Sequence, residues 1–201
     1  MKEKIIIKAN QMFLKQGFKS VTMDDIANEM AISKKTIYQH FSNKIELIEA
    51  ATQYLFETIS CGVDEIYALD KNPIEEMFII KDFVLTKLKD EDSSSIYQLH
   101  KFYPQIHKEL MLKQFDKMGV CVVANLQKGV DQGLFRPNMN IELIARFYYA
   151  AMTNLKDLEI FQPEKFNPKT VQETYLEYHL RSICTEKGLT ILEHLLNSTI
   201  S

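Results

Sequence analysis

Large apolar residues recur three and four apart along almost the whole chain, and period-two alternation is nearly absent. That spacing predicts helices throughout. In the first, Ile6, Ala9 and Phe13 share a face, and Gly17 is expected as a left-handed residue just past the end. Phe18 then falls where a Schellman motif places its apolar contact. Thr22-Met23-Asp24-Asp25 fits a capping box and opens a second helix through Ile26, Ala27 and Met30. Ser33 is a good N-cap for a third helix that ends near His40. Asn43 and Glu46 begin a fourth, in which Ile48, Ala51, Leu55, Ile59, Val63 and Ile66 continue the period without a proline. A helix over about 44–69 spans roughly 40 Å and reads as a connector between two modules, with Gly62 as its weak point for bending.

Beyond it, Asn72-Pro73 sets an N-cap before a proline at the first helical position, with Glu75 and Glu76 in the dipole-favoured first turn. That helix runs to about Leu88. Asp90 to Ser95 form a polar break, and a short helix then ends at Pro104, which itself starts the next. The latter runs to about Gln132 and stops at Gly133, with Pro137 beyond. Asn140 caps a helix through Ile144, Phe147, Tyr148, Ala151, Met152 and Leu155. After a loop holding Pro163 and Pro168, two last helices cover about 168–184 and 186–198, with Gly188 near their junction. The expected fold class is all-α, with nine or ten helices and no internal repeat.

Composition adds limits. The 201 residues are 46% hydrophobic and 25% charged, enough for a real core. No apolar run approaches a membrane span, and Ile5–Ile7 is too short for a signal-peptide core, so the expected compartment is the cytoplasm, with no membrane partner. Cys61, Cys121 and Cys184 lie far apart without a metal-binding spacing and are expected as small buried hydrophobes. The net charge of −3 excludes a wholly polybasic binder, but residues 1–50 hold eight Lys against six Asp and Glu, and the acidic excess lies in the rest. A locally basic module on an acidic body can bind DNA by itself.

Within that module, three short helices lie in the first 42 residues, the second and third joined by a turn of about three residues, which describes a helix-turn-helix. In the segment Ile32–Lys44, only Ile37 and Phe41 are large core candidates, four apart. The opposite side offers cationic, hydroxyl, amide and imidazole groups. Thr22, Ile26-Ala27, Ser33, Thr36-Ile37-Tyr38, Phe41, Lys44 and Leu47 follow one another without insertion, and Ala9, Phe13, Gly17 and Phe18 precede them in matching register. This run resembles the DNA-binding domain of the TetR/AcrR family of bacterial repressors over residues 5–48. The family usually has glycine in the turn where this chain has Ala31, and alanine at a positive φ costs around 1 kcal/mol.

The resemblance implies a helix-turn-helix DNA-binding domain over 1–46 and a helical ligand-binding and dimerisation domain over 47–201. Such a module puts its second helix into the major groove. Thr22, at a helix N-terminus, suits a phosphate, and Ser33, Lys34, Lys35 and Thr36 open the recognition helix, the part that reaches base edges. Lysine donates to guanine, and the threonine methyl meets a thymine methyl. Tyr38 and His40 are expected on backbone phosphates, Gln39 on adenine, and Lys44 resembles the family's phosphate-binding lysine.

In the body, the interleaved aromatic and methionine side chains are mostly core, and together they suit an adaptable apolar pocket. The expected lining is Phe78, Phe83, Tyr97, Phe102, Phe115, Met118, Phe147, Tyr148 and Met152. The resemblance implies a homodimer paired through about 141–158 and 168–184, and the breadth of the apolar arc on the first of these helices agrees, since it calls for two partners. Ala145, Tyr148, Ala151, Met152, Tyr175 and Tyr178 are the side chains concerned.

No G-x-S-x-G, P-loop or H-E-x-x-H occurs, and the five histidines are scattered, so neither catalysis nor a cofactor nor a metal is expected. His100 and His107 would share a helix face if Pro104 did not separate them. The leading expectation is a repressor released from a palindromic double-stranded operator by a small hydrophobic or amphipathic effector. The other is a helical small-molecule-binding or interaction protein whose helix-turn-helix is only structural.

Overall fold

The computed structural model describes residues 1–88, 93–155, 157 and 159–199. Among them the chain forms ten helices: α1 (Lys2–Gln16), α2 (Met23–Glu29), α3 (Lys34–Tyr38), α4 (Lys44–Tyr67), α5 (Pro73–Lys87), α6 (Ser93–Phe102), α7 (Pro104–Asp131), α8 (Ile141–Asn154), α9 (Pro168–Ile183) and α10 (Glu186–Thr199). The fold is all-α, and one isolated bridge, Phe135 to Cys184, is the only β-type pairing among the described residues.

Local chemistry sets most of the boundaries. The Asn72, Asn140 and Asn167 side chains accept first-turn N–H groups of α5, α8 and α9. α7 ends in a Schellman motif on Gly133, φ 68°, with Gly133 N–H donating to Val130 and Leu134 N–H to Gly129. α4 stops at Tyr67, two residues short of the expected end, and Asp70 takes φ 48° beyond it. Of the expected polar break, Asp90 to Asp92 lie outside the described residues, and α6 begins at Ser93.

Gly17 differs from expectation. Its φ is positive, 91°, but ψ is 147°, so it is not left-handed helical and no Schellman pair forms. The extended ψ brings its carbonyl to Val21 N–H at 3.4 Å, while the next residues turn to meet a distant partner: Lys19 N–H donates to Gln98 Oε1 at 2.9 Å. The positive φ favours glycine here, and a Cβ on residue 17 would also make the Gln98 carboxamide turn aside. Phe18 stacks on Phe13 with centroids 5.3 Å apart.

The chain divides into two compact units. The first is Met1–Gly62 with Thr86–Gln114, and the second is Val63–Leu85 with Phe115–Ser201. The core of the first packs Ile5, Ala9, Phe13, Ile26, Ile37, Phe41, Leu47 and Ile48 together with Leu99 from α6 and Ile106 from α7. At about 1.5–3 kcal/mol for each fully buried large apolar side chain, α6 and the start of α7 are structural parts of this unit.

In the second unit, Ile74, Met77, Leu126, Phe135, Leu176, Leu180 and Leu192 form the core. Phe135 packs against Gly129, where a Cβ would overlap the ring. Glu76 is not a solvated first-turn acid but fully buried, and its carboxylate accepts from Asn125 Nδ2 at 2.9 Å and Lys128 Nζ at 2.7 Å. Lys128 also reaches Asp70 and the Lys71 carbonyl, and contact with Glu76 above all raises its pKa. Of the three cysteines, Cys184 is buried and Cys121 half-buried, but Cys61 is exposed on α4, against the expectation of three buried thiols.

Candidate nucleic-acid interface

The turn between α2 and α3 is a Schellman motif built on alanine. Ala31 has φ 52°, its N–H donates to Asn28 O at 3.0 Å, and Ile32 N–H donates to Ala27 O at 3.0 Å. The strain expected at this position is therefore retained in full.

α3 is anchored by one fully buried residue, Ile37, with Phe41 one turn on. Its N-terminus is closed by Ser33, whose Oγ accepts from Thr36 N–H at 3.1 Å and lies 2.8 Å from Thr36 Oγ1. Ser33, Lys34, Lys35, Tyr38 and Gln39 are exposed, and Thr36 and His40 are half-buried. Tyr38, 45% exposed, leaves a large aromatic ring in solvent on a helix of five residues. Every outward group of this helix is thus polar or amphipathic, the set that phosphates and base edges bind.

Thr22 caps α2 through a complete capping box. Its N–H and hydroxyl both donate to Asp25 Oδ2, at 2.8 and 2.7 Å, and Asp25 N–H donates back to the hydroxyl. These hydrogen bonds, from the Thr22 side chain first, hold the Asp25 carboxyl below its ordinary pKa. Lys44 is half-buried rather than free. Its Nζ donates to the Lys19 carbonyl at 3.0 Å and lies 5.9 Å from the Phe13 and Tyr103 ring centroids, and burial lowers its pKa. It ties the start of α4 to the chain between α1 and α2.

One partner was not legible in the sequence. Lys34 Nζ donates to Asp24 Oδ2 at 2.7 Å, an exposed pair that raises the lysine pKa. Ten residues and a turn separate the two, so neither helical spacing nor a motif links them.

The nine residues expected to line a pocket divide between the units. Tyr97 and Phe102 belong to the first and are exposed, with Lys101 over both rings and Lys19 4.0 Å from the Phe102 centroid. Phe78, Phe83, Phe115, Met118, Tyr148 and Met152 are half-buried in the second, where Phe78 and Tyr148 pack on the core. Phe115 meets Tyr149 edge-on at 5.0 Å, and Phe147 points outward, 58% exposed. A separate groove of about 560 Å³ lies between the chain following α8 and α9, lined by Phe161, Phe166, Val171, Tyr175 and Tyr178 among others. On α8 and α9, Ala145 is buried, and Tyr148 packs against Tyr175 and His179, while Leu143, Phe147 and Tyr178 face solvent.

Comparison with known proteins agrees with this geometry. Residues 5–51 match the family model for bacterial regulatory proteins of the tetR family. Over 160 residues, 73% of each chain, the sequence is 28% identical to the HTH-type transcriptional repressor KstR2 of Mycolicibacterium smegmatis. It is also 28% identical over 125 residues, 55% of this chain and 67% of the relative, to IcaR of Staphylococcus aureus, a negative transcriptional regulator of the biofilm operon icaADBC. A TetR-family transcriptional regulator from Agrobacterium tumefaciens superposes with a TM-score of 0.74 at 15% identity, over 92% of this chain and 97% of that one. With a helix-turn-helix sequence that matches the tetR family model over residues 5–51, an all-helical fold like that of a TetR-family regulator and a polar α3 held on a buried Ile37, the chain is similar to the TetR family of bacterial regulatory proteins.

Proposed function

We propose that this chain is a ligand-responsive transcriptional repressor that binds a palindromic operator as a homodimer and releases it when a small hydrophobic or amphipathic effector enters the helical body. The observation that carries the reading is the outward face of α3, where Lys34, Lys35, Thr36, Tyr38 and Gln39 surround a single buried anchor. Repression is supported by the relatives KstR2 and IcaR, a named repressor and a named negative regulator.

Dimerisation is supported by Leu143, Phe147 and Tyr178, which are 45%, 58% and 71% exposed on α8 and α9. Three large side chains left in solvent on neighbouring helices are what an isologous interface covers. A symmetric pair would set its two recognition helices about 34 Å apart, one turn of the duplex. The effector is assigned to the body because its core is rich in aromatic and methionine side chains, including Phe78, Tyr148, Met77 and Met139.

Capture and sequencing of genomic fragments with the full-length protein would identify the operator. Fluorescence anisotropy on it, with wild type and the Lys35→Ala and Tyr38→Ala variants, then tests the reading. Lys35→Ala removes one cationic contact and should lower the slope of log affinity against log salt by up to about 0.9, while Tyr38→Ala, which changes no charge, should weaken binding at an unchanged slope. Wild-type affinity in both variants, or binding indifferent to salt, would refute it. Size-exclusion chromatography of the same variants checks that the dimer persists.

A further inference from the structure

The corner between α6 and α7 brings together two side chains for which DNA binding has no use. His100 lies in the last turn of α6 and His107 in the first turn of α7, with Pro104 between them. The proline does not keep them apart. Tyr103 N–H donates to Leu99 O at 2.9 Å and His107 N–H to Tyr103 O at 3.0 Å, so helical bonding carries through the junction. In a straight helix, residues seven apart share a face but stand about 10.5 Å apart along the axis. Here the ring centroids are 4.8 Å apart, with planes tilted by 49°. The two rings therefore meet across the α6–α7 junction.

We propose that His100 and His107 form the protein half of a binding site for a borderline divalent transition-metal ion, of the class of Zn(II), Ni(II) or Cu(II). Imidazole nitrogens bind such an ion at about 2.0–2.1 Å, which puts the centroids of two rings on one ion about 4.5–5.2 Å apart for angles between square and tetrahedral. The observed separation falls inside that window. His100 is exposed and His107 half-buried, which leaves the rings open to an ion from solvent.

Nitrogen ligands select this class over magnesium or calcium, which prefer oxygen. Among the described residues no third His, Cys, Asp or Glu joins the pair. The remaining coordination positions therefore fall to water or to a bound molecule, as in sites that keep an open position. The corner belongs to the same compact unit as the helix-turn-helix, and α6 touches it through Gln98 on Lys19.

The test is calorimetric titration of the metal-stripped full-length protein with Zn(II) as the probe. The site requires one ion per chain, weakened more than about tenfold by His100→Gln and by His107→Gln, since loss even of an outer-shell partner costs that much. His194→Gln, which changes an exposed histidine on α10, serves as the control and should leave the titration unchanged. Circular dichroism establishes that each variant is folded. Absence of Zn(II) binding in the wild type, or equal affinity in the His100/His107 double variant, overturns the assignment. The titration contains no DNA, so its outcome is independent of whether the chain binds an operator.

Discussion

Replacing Ala31 by glycine isolates a single backbone strain. The residue is exposed, so the change opens no cavity, and both Schellman hydrogen bonds are made by main-chain groups that the substitution keeps. At φ 52° an L-residue other than glycine brings Cβ against its own backbone, at a cost of about 1–2 kcal/mol. Glycine removes that cost, but it also loosens the unfolded chain, which returns about 0.4–1 kcal/mol. The expected net gain is about 0.5–1 kcal/mol. For a chain of this size that corresponds to a rise in Tm of about 1–4 °C. Urea unfolding followed by circular dichroism, at one fixed protein concentration because association adds to stability, should show a higher midpoint and an unchanged m-value. Ala31→Val should move the midpoint the other way, since a β-branched side chain tolerates positive φ worst. A glycine variant less stable than wild type by more than about 0.5 kcal/mol would refute the strain account, because then the unfolded-state term outweighs it.

Other perturbations give equally definite outcomes. Gly129→Ala should destabilise by more than about 1–3 kcal/mol, the usual cost of overpacking, because the new methyl meets the buried Phe135 ring. Gly119→Ala on the same helix, where nothing stands within 4 Å, should stabilise by about 0.5–1 kcal/mol, and urea midpoints of the two decide the matter. Burial lowers the His179 pKa from 6.5 to about 4, and its Nε2 lacks a hydrogen-bond partner. The unfolded chain takes up the proton first, so stability is complete above about pH 6.5 and falls by about 3 kcal/mol as the pH drops towards 4. His179→Phe should flatten that window in unfolding measured across it, and an unchanged acid slope would count against the assignment. Asp24→Asn releases Lys34 and removes a negative charge beside the recognition helix, so operator affinity in anisotropy at low salt should rise; an unchanged or weaker affinity would show that the pair does not compete with DNA.

How far the sequence could be read follows from the range of each interaction. Helix ends were legible because caps are local: Asn72, Asn140 and Gly133 act within a few residues of themselves. The helix-turn-helix was legible because its pattern is contiguous, and Ala31 stood out against it. What escaped depends on residues that come from elsewhere in the chain. The conformation of Gly17 is set jointly with Gln98, the charge of Lys34 is answered by Asp24, and the burial of Glu76 depends on Asn125 and Lys128. Pro104 reads as a separator in one dimension, yet the His100 and His107 rings meet across it.

The presence of Leu99 and Ile106 in the same core as Ile5 and Ala9 has a consequence for how the protein is made. Translation delivers the chain from its N-terminus at about 5–20 residues per second, so the first helix waits roughly 5–20 s for α6 and the start of α7 to emerge. During that interval the recognition helix already exists as sequence, but the apolar face beneath it lacks two of its covering side chains. A fragment cut after α4 would lack Leu99 and Ile106, because the compact unit that holds the helix-turn-helix also takes in Thr86–Gln114.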